Sequence, residues 1–202
     1  MTHRHIIAIL RGISNDEIIS ACRALIDAGI TMIEVPLNSP DAIKSIGMAA
    51  GEFSHEALIG AGTVLSVEDV TSVAGVGGQF VVSPDTNAAV IRATREAGLA
   101  SYPGVFSPSD AFEAIRSGAN GLKFFPAEVL GPRGIKAMKA VLPPDMPVYA
   151  VGGAEPGNFA EYFAAGCTGF GLGSYLYKPG IDVDTIGERA RAAVAAYDGR
   201  TS

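Results

Sequence analysis

The chain has 202 residues, nearly half of them hydrophobic and fewer than a fifth charged. That is the profile of a folded domain with a sizeable core, and it excludes a disordered or fibrous chain. The net charge of −6 gives no general attraction for DNA, RNA or anionic lipid, although a local site of opposite sign can still hold an anion.

Short apolar runs alternate with helix-period segments along the whole chain. The opening, Met1-Thr2-His3-Arg4-His5, leads straight into an apolar run rather than a secretory signal. No stretch is long enough to span a bilayer, so a cytoplasmic protein is expected. The predicted strands centre on Ile9, Ile33, Ile59, Val82, Tyr102, Lys123, Tyr149 and Gly171. They recur about every 20–27 residues, the pace of one βα unit in a compact barrel. In the first helix Ile18, Cys22, Leu25 and Ile26 form one apolar stripe. Ser14 with Glu17, and Ser66 with Asp69, have capping-box spacing. Ser107 before Pro108 predicts an N-cap followed by proline at the first helical position. Gly29, Gly98, Gly118 and Gly166 each follow a helix and predict a left-handed C′ residue. The tail after Tyr197 is expected to fray.

Eight strands in strict alternation, with no linker, predict a single (β/α)8 TIM barrel over residues 1–202. A doubly wound sheet is the alternative. The first turn, Arg11-Gly12-Ile13-Ser14, lacks the glycine fingerprint of that fold. Cys22 and Cys167 are expected as reduced core thiols. The histidines, His3, His5 and His55, avoid the strand ends, and no cluster has ligand spacing, so neither a metal nor any other cofactor is expected.

In a barrel of this kind the site lies at the C-terminal ends of the strands. Lys123 lies in Gly121-Leu122-Lys123-Phe124-Phe125-Pro126, an apolar strand stopped by proline. Burial lowers a lysine's pKa, and a neutral amine is a nucleophile for carbonyl carbon. The alternative is a stem that snorkels its charge to the strand end. Glu34 alternates with Ile33 and Val35 and so faces the interior if they face the helices. It is either a general acid/base or a charge partner for Arg11 or Lys123. Arg11 ends the first strand, either to hold a carboxylate or phosphate or to make an ordinary salt bridge. Gly152-Gly153 and Gly173-Ser174 follow strands seven and eight, where barrels often bind phosphate, although such turns also occur for tightness alone. Thr63 and Ser174 have no visible base beside them and read as hydrogen-bond donors. Glu128 overhangs the mouth or is a solvated loop charge. Phe106, Phe124 and Phe125 line the pocket or belong to the core.

A lysine, an inward acid, an arginine and a phosphate cradle suit carbon–carbon bond chemistry through a Schiff base. These residues resemble the 2-keto-3-deoxy-6-phosphogluconate and -6-phosphogalactonate aldolases over nearly the whole chain. The resemblance rests on Ile9-Leu10-Arg11-Gly12, Glu34-Val35-Pro36-Leu37-Asn38-Ser39-Pro40, Leu58 to Val64, Leu122 to Pro126, Ile135-Lys136-Ala137, Val151-Gly152-Gly153 and Gly171 to Ser174. It implies a cytoplasmic, metal-independent class I aldolase, usually a homotrimer. Lys123 would be the Schiff-base lysine and Glu34 the acid/base acting through a water. Arg11 would bind the carboxylate, with Thr63 and Pro84 shaping the keto-acid pocket, and Gly152, Gly153, Gly173 and Ser174 would hold the phosphate. The products would be pyruvate and glyceraldehyde 3-phosphate. At Asn38, where phosphogluconate members typically carry arginine, the chain resembles the phosphogalactonate members. Phe125-Pro126-Ala127-Glu128 resembles the phosphogluconate group. Open alternatives are the gluconate epimer as substrate, a catalytically silent phosphosugar-binding barrel, and an isomerase or synthase of phosphorylated metabolites.

Overall fold

The computed structural model describes residues 3–199. The strands are β1 (Ile6–Ile9), β2 (Met32–Pro36), β3 (Leu58–Gly62), β4 (Phe80–Val82), β5 (Ala100–Tyr102), β6 (Gly104–Val105), β7 (Leu122–Phe124), β8 (Val148–Val151) and β9 (Gly169–Leu172). All pair in parallel, in the order β5-β4-β3-β2-β1-β9-β8-β7-β6. Helices alternate with them: α1 (Ile18–Asp27), α2 (Ala42–Phe53), α3 (Val67–Gly75), α4 (Ala88–Glu96), α5 (Pro108–Arg116), α6 (Ala127–Lys139), α7 (Phe159–Ala164) and α8 (Val183–Asp198). This is a (β/α)8 barrel.

The ninth strand comes from a break in the fifth. Pro103 has no N–H to donate and divides β5 from β6. The ring still closes. Asn120 N–H donates to the Ser101 carbonyl at 2.9 Å, and the Asn120 carboxamide oxygen accepts from Ser101 N–H at 2.9 Å. Further along, Lys123 N–H donates to the Pro103 carbonyl at 2.9 Å. A side chain thus takes over part of the backbone pairing.

Alternation sorts the strands into two cores. Ile6, Ala8, Ile33, Val35, Leu122 and Phe124 pack against the helices. Ile7, Ile9, Met32, Phe80, Val82, Tyr149 and Val151 fill the barrel. Both cysteines are free and buried, and burial pushes each thiol up to about 12. Such thiols are inert at neutral pH.

Two capping boxes form at Ser66–Asp69 and Ser107–Asp110, the second with Pro108 in the first turn. The four helix-ending glycines all have φ between 79° and 98°. The Ser14 expectation needs correction. The helix begins at Ile18, and the Ser14 hydroxyl donates to Glu17 Oε2 at 2.7 Å instead of capping a helix N–H. Glu17 is also tied to Tyr177, so tertiary bonds outcompete the local box. Helical order continues one residue past Tyr197, where fraying was expected to begin. The last helix runs to Asp198, whose carboxylate pairs with Arg4 at 2.9 Å. The remainder of that tail lies outside the described residues.

Candidate active site

Register places the central residues. Glu34 in β2 sits between Ile9 of β1 and Gly60 of β3. Lys123 in β7 sits between Gly104 of β6 and Tyr149 of β8. Both take inward positions, since their strand neighbours pack against the helices. Glu34 is 1% exposed and Lys123 6%, which excludes a lysine snorkelling into bulk solvent.

Burial raises the Glu34 carboxyl to about 7, although Lys123 and Arg11 pull it down. Its Oε2 is buried with no hydrogen-bond partner. Burial also lowers the Lys123 amine. Glu34 opposes that shift and Arg11 adds to it. Lys123 Nζ lies 4.7 Å from the centre of the Phe125 ring. The outcome is a lysine biased toward the free amine, coupled to a carboxyl near its midpoint at neutral pH. Perturbed pairs of this kind cluster at functional sites.

Gly62 makes room for this acid. A Cβ built there would overlap the Glu34 carboxylate, so no larger residue fits without moving it. Nothing in the sequence marks this role of Gly62, because the clash is between neighbouring strands.

Lys123, but not Glu34, lines a cleft of about 380 Å³, together with Arg11, Phe125, Gly152, Gly153, Gly173 and Ser174, among others. Four strand ends, those of β1, β7, β8 and β9, thus contribute to one hollow. Gly152 and Gly153 have φ of 93° and 73°, a conformation glycine takes without strain. Among the described residues Arg11 makes no salt bridge. It donates to Asn38 Oδ1 at 2.6 Å and to Thr63 Oγ1 at 3.5 Å. Thr63 has φ of 56°, a left-handed backbone that a β-branched residue adopts at a cost of about 1–3 kcal/mol. Asn38 and Thr63 therefore reach the cleft through Arg11.

Pro84 is not brought to this cleft. It borders a separate hollow with Asp85, Gly104, Phe106 and Phe125, so Phe125 forms a wall between the two. Phe124 belongs to the outer core and Phe106 is exposed. Glu128 is exposed, with its carboxylate beside Gly153. Sequence reasoning missed Glu155, Tyr175 and Lys178, which also line the cleft. They lie in loops with no strand period to mark their direction. Among the described residues, no group of three or more His, Cys, Asp or Glu is arranged to hold a metal ion.

A family model described as KDPG and KHG aldolase matches residues 1–189. The chain is 51% identical, over 96% of its length and 92% of the relative's, to a probable 2-dehydro-3-deoxy-6-phosphogalactonate aldolase of Rhizobium meliloti (strain 1021). It is 46% identical, over 95% and 94% of the two chains, to the 2-dehydro-3-deoxy-6-phosphogalactonate aldolase of Escherichia coli (strain K12). A solved structure described as native KDPGal superposes with a TM-score of 0.98 at 45% identity, covering 100% of this chain and 98% of the other. The chain belongs to the KDPG and KHG aldolase family.

Proposed function

We propose that this chain is a class I aldolase that cleaves 2-dehydro-3-deoxy-6-phospho-D-galactonate to pyruvate and D-glyceraldehyde 3-phosphate in D-galactonate catabolism. We also propose that residues 1–202 act as one domain, in the cytoplasm and as a homotrimer. The observation that carries the chemistry is the buried amine of Lys123, which lines the cleft, coupled to the buried carboxyl of Glu34.

Neutral Lys123 attacks the C2 carbonyl, and the carbinolamine loses water to give a protonated imine. Glu34, through a water, takes the C4 hydroxyl proton. The C3–C4 bond breaks as the C4 oxygen becomes the aldehyde, and its electron pair passes through C3 to the iminium nitrogen. Glyceraldehyde 3-phosphate leaves. The enamine takes a proton at C3, and water hydrolyses the imine to release pyruvate and the amine. A carboxyl near 7 accepts and returns a proton at neutral pH with similar ease. Arg11 and Thr63 meet the C1 carboxylate, while the backbone at Gly152, Gly153, Gly173 and Ser174 meets the phosphate.

The galactonate epimer is supported by the names of the two relatives and by Asn38. That residue holds Arg11 at 2.6 Å, where a second arginine would repel it. Incubation with pyruvate and borohydride, followed by peptide mass mapping, tests the chemistry: the adduct is expected on Lys123 and nowhere else. Parallel rates on the two sugar-acid epimers test the substrate, with the galactonate faster. A faster gluconate rate would overturn that assignment. Sedimentation at micromolar concentration tests the trimer.

A further inference from the structure

The cleft is lined by three basic side chains, Arg11, Lys123 and Lys178. Arg11 is committed to Asn38 and Thr63, on the side of β2 and β3. Lys123 is the buried amine. Lys178 lies in the loop after β9, the loop that also carries Gly173 and Ser174. It makes no side-chain hydrogen bond or ion pair among the described residues.

The other charges at this end are negative. Glu155 lines the cleft. The Glu128 carboxylate lies 2.6 Å from where a Cβ on Gly153 would stand. A phosphate approaching Gly152 and Gly153 therefore meets two carboxylates. Lys178 is the only side-chain cation lining the cleft at that end.

The loop is pinned rather than free. The Pro179 ring stands 2.9 Å from the position of a Cβ on Gly12, whose φ is +82°. The Tyr177 hydroxyl donates to Glu17 Oε2 at 3.3 Å. Leu176 and Tyr177 N–H both donate to the Gly173 carbonyl, at 2.9 and 3.0 Å. Lys178 is thus flanked by two anchored residues and has a fixed base from which to reach the cleft.

We propose that Lys178 is the cation that recognises the substrate's phosphate and sets the preference for phosphorylated over phosphate-free sugar acids. The proposal rests on the aldolase reading above and adds a residue to it. The ammonium offsets Glu155 and Glu128 and pairs with a phosphate oxygen, while the glycine N–H groups fix orientation.

The test compares the wild-type chain, Lys178→Ala and Lys178→Arg on the phosphorylated sugar acid and on its phosphate-free counterpart. A charge-assisted bond of this kind corresponds to roughly 10–100-fold in affinity. Lys178→Ala is therefore expected to raise KM for the phosphorylated substrate by that factor, with the effect in KM rather than kcat. The ratio of kcat/KM between the two substrates should fall by the same factor. Arginine should restore KM to within about fivefold, since it keeps the charge. Competitive inhibition by inorganic phosphate should weaken in parallel. Should the alanine variant fail to fold, Lys178→Gln gives the same readout with the stem kept. An unchanged KM, or an equal rise on both substrates, overturns the proposal. Wild-type protein that cleaves neither sugar acid would instead refute the aldolase reading.

Discussion

The two ends of the barrel interior treat polar groups in opposite ways. At the floor, the Tyr149 hydroxyl and His5 Nδ1 are 2.6 Å apart, and the Tyr149 ring meets Tyr102 edge-on at 5.3 Å. Tyr102 meets Phe80 in the same manner at 5.9 Å. The His5 N–H donates to the Tyr197 hydroxyl, which donates to the Thr168 carbonyl. At the mouth, Glu34 Oε2 is buried with no partner. Tyr149 and Lys123 are register neighbours, yet one is bonded into the floor and the other lines an open cleft. A buried polar group without a partner costs about 1–3 kcal/mol. The mouth carries that cost where a substrate would meet it, and the floor avoids it.

The contrast can be broken most severely at Lys123. Arginine there cannot form an imine, so Lys123→Arg is expected to abolish borohydride trapping and to reduce cleavage by several orders of magnitude. Retained trapping would refute the assignment. Glu34→Gln should keep trapping but slow cleavage by ~10²–10⁴. The same variant tests the cost of burial. The folded carboxyl titrates near 7 against an ordinary 4.5, so between those values the folded chain keeps a proton that the unfolded chain has lost. The stability tied to the neutral form is present below 4.5 and lost as pH rises through 7, about 3 kcal/mol in all. Urea unfolding should therefore show Glu34→Gln gaining on the wild type across that window. Parallel curves would contradict the burial argument.

Gly62→Ala should act through the same acid. Its methyl would displace the carboxylate, and an ångström of misplacement costs on the order of 10² in rate. Steady-state kinetics check this, and a near-normal kcat would mean that the acid relocates freely. The smallest effect belongs to the floor. Tyr149→Phe removes the hydroxyl that bonds His5 and Tyr102 and should cost ~1–2 kcal/mol in urea unfolding, with kcat nearly unchanged. A large kinetic loss would erase the distinction between the two ends.

Period and punctuation made much of this legible. Glu34 faces inward because Ile33 and Val35 face the helices, and a period of two has no other solution. Lys123 was readable as a cation inside an apolar strand. The Ser66–Asp69 capping box and the Ser107 N-cap follow from local spacing. What was not legible depended on contacts between distant segments. Ser14 carries a cap signal, but its partner Glu17 is also bound by Tyr177. Pro84 ends the fourth strand as expected, yet Phe125 separates it from the cleft. Lys178 sits in a loop whose course depends on Pro179 resting over Gly12.

The ion pair between Arg4 and Asp198, at 2.9 Å, has a further consequence. The first and last stretches of the described chain lie side by side, beneath a ring of similar βα units. A short linker joining them would close the polypeptide into a loop, and new termini could be opened in a surface turn such as that at Pro144 and Asp145, both exposed. Such a permuted chain should fold to the same barrel, because closure of the ring depends on neighbouring strands rather than on which one is made first. The same adjacency would let a fused partner be attached on the side away from the cleft.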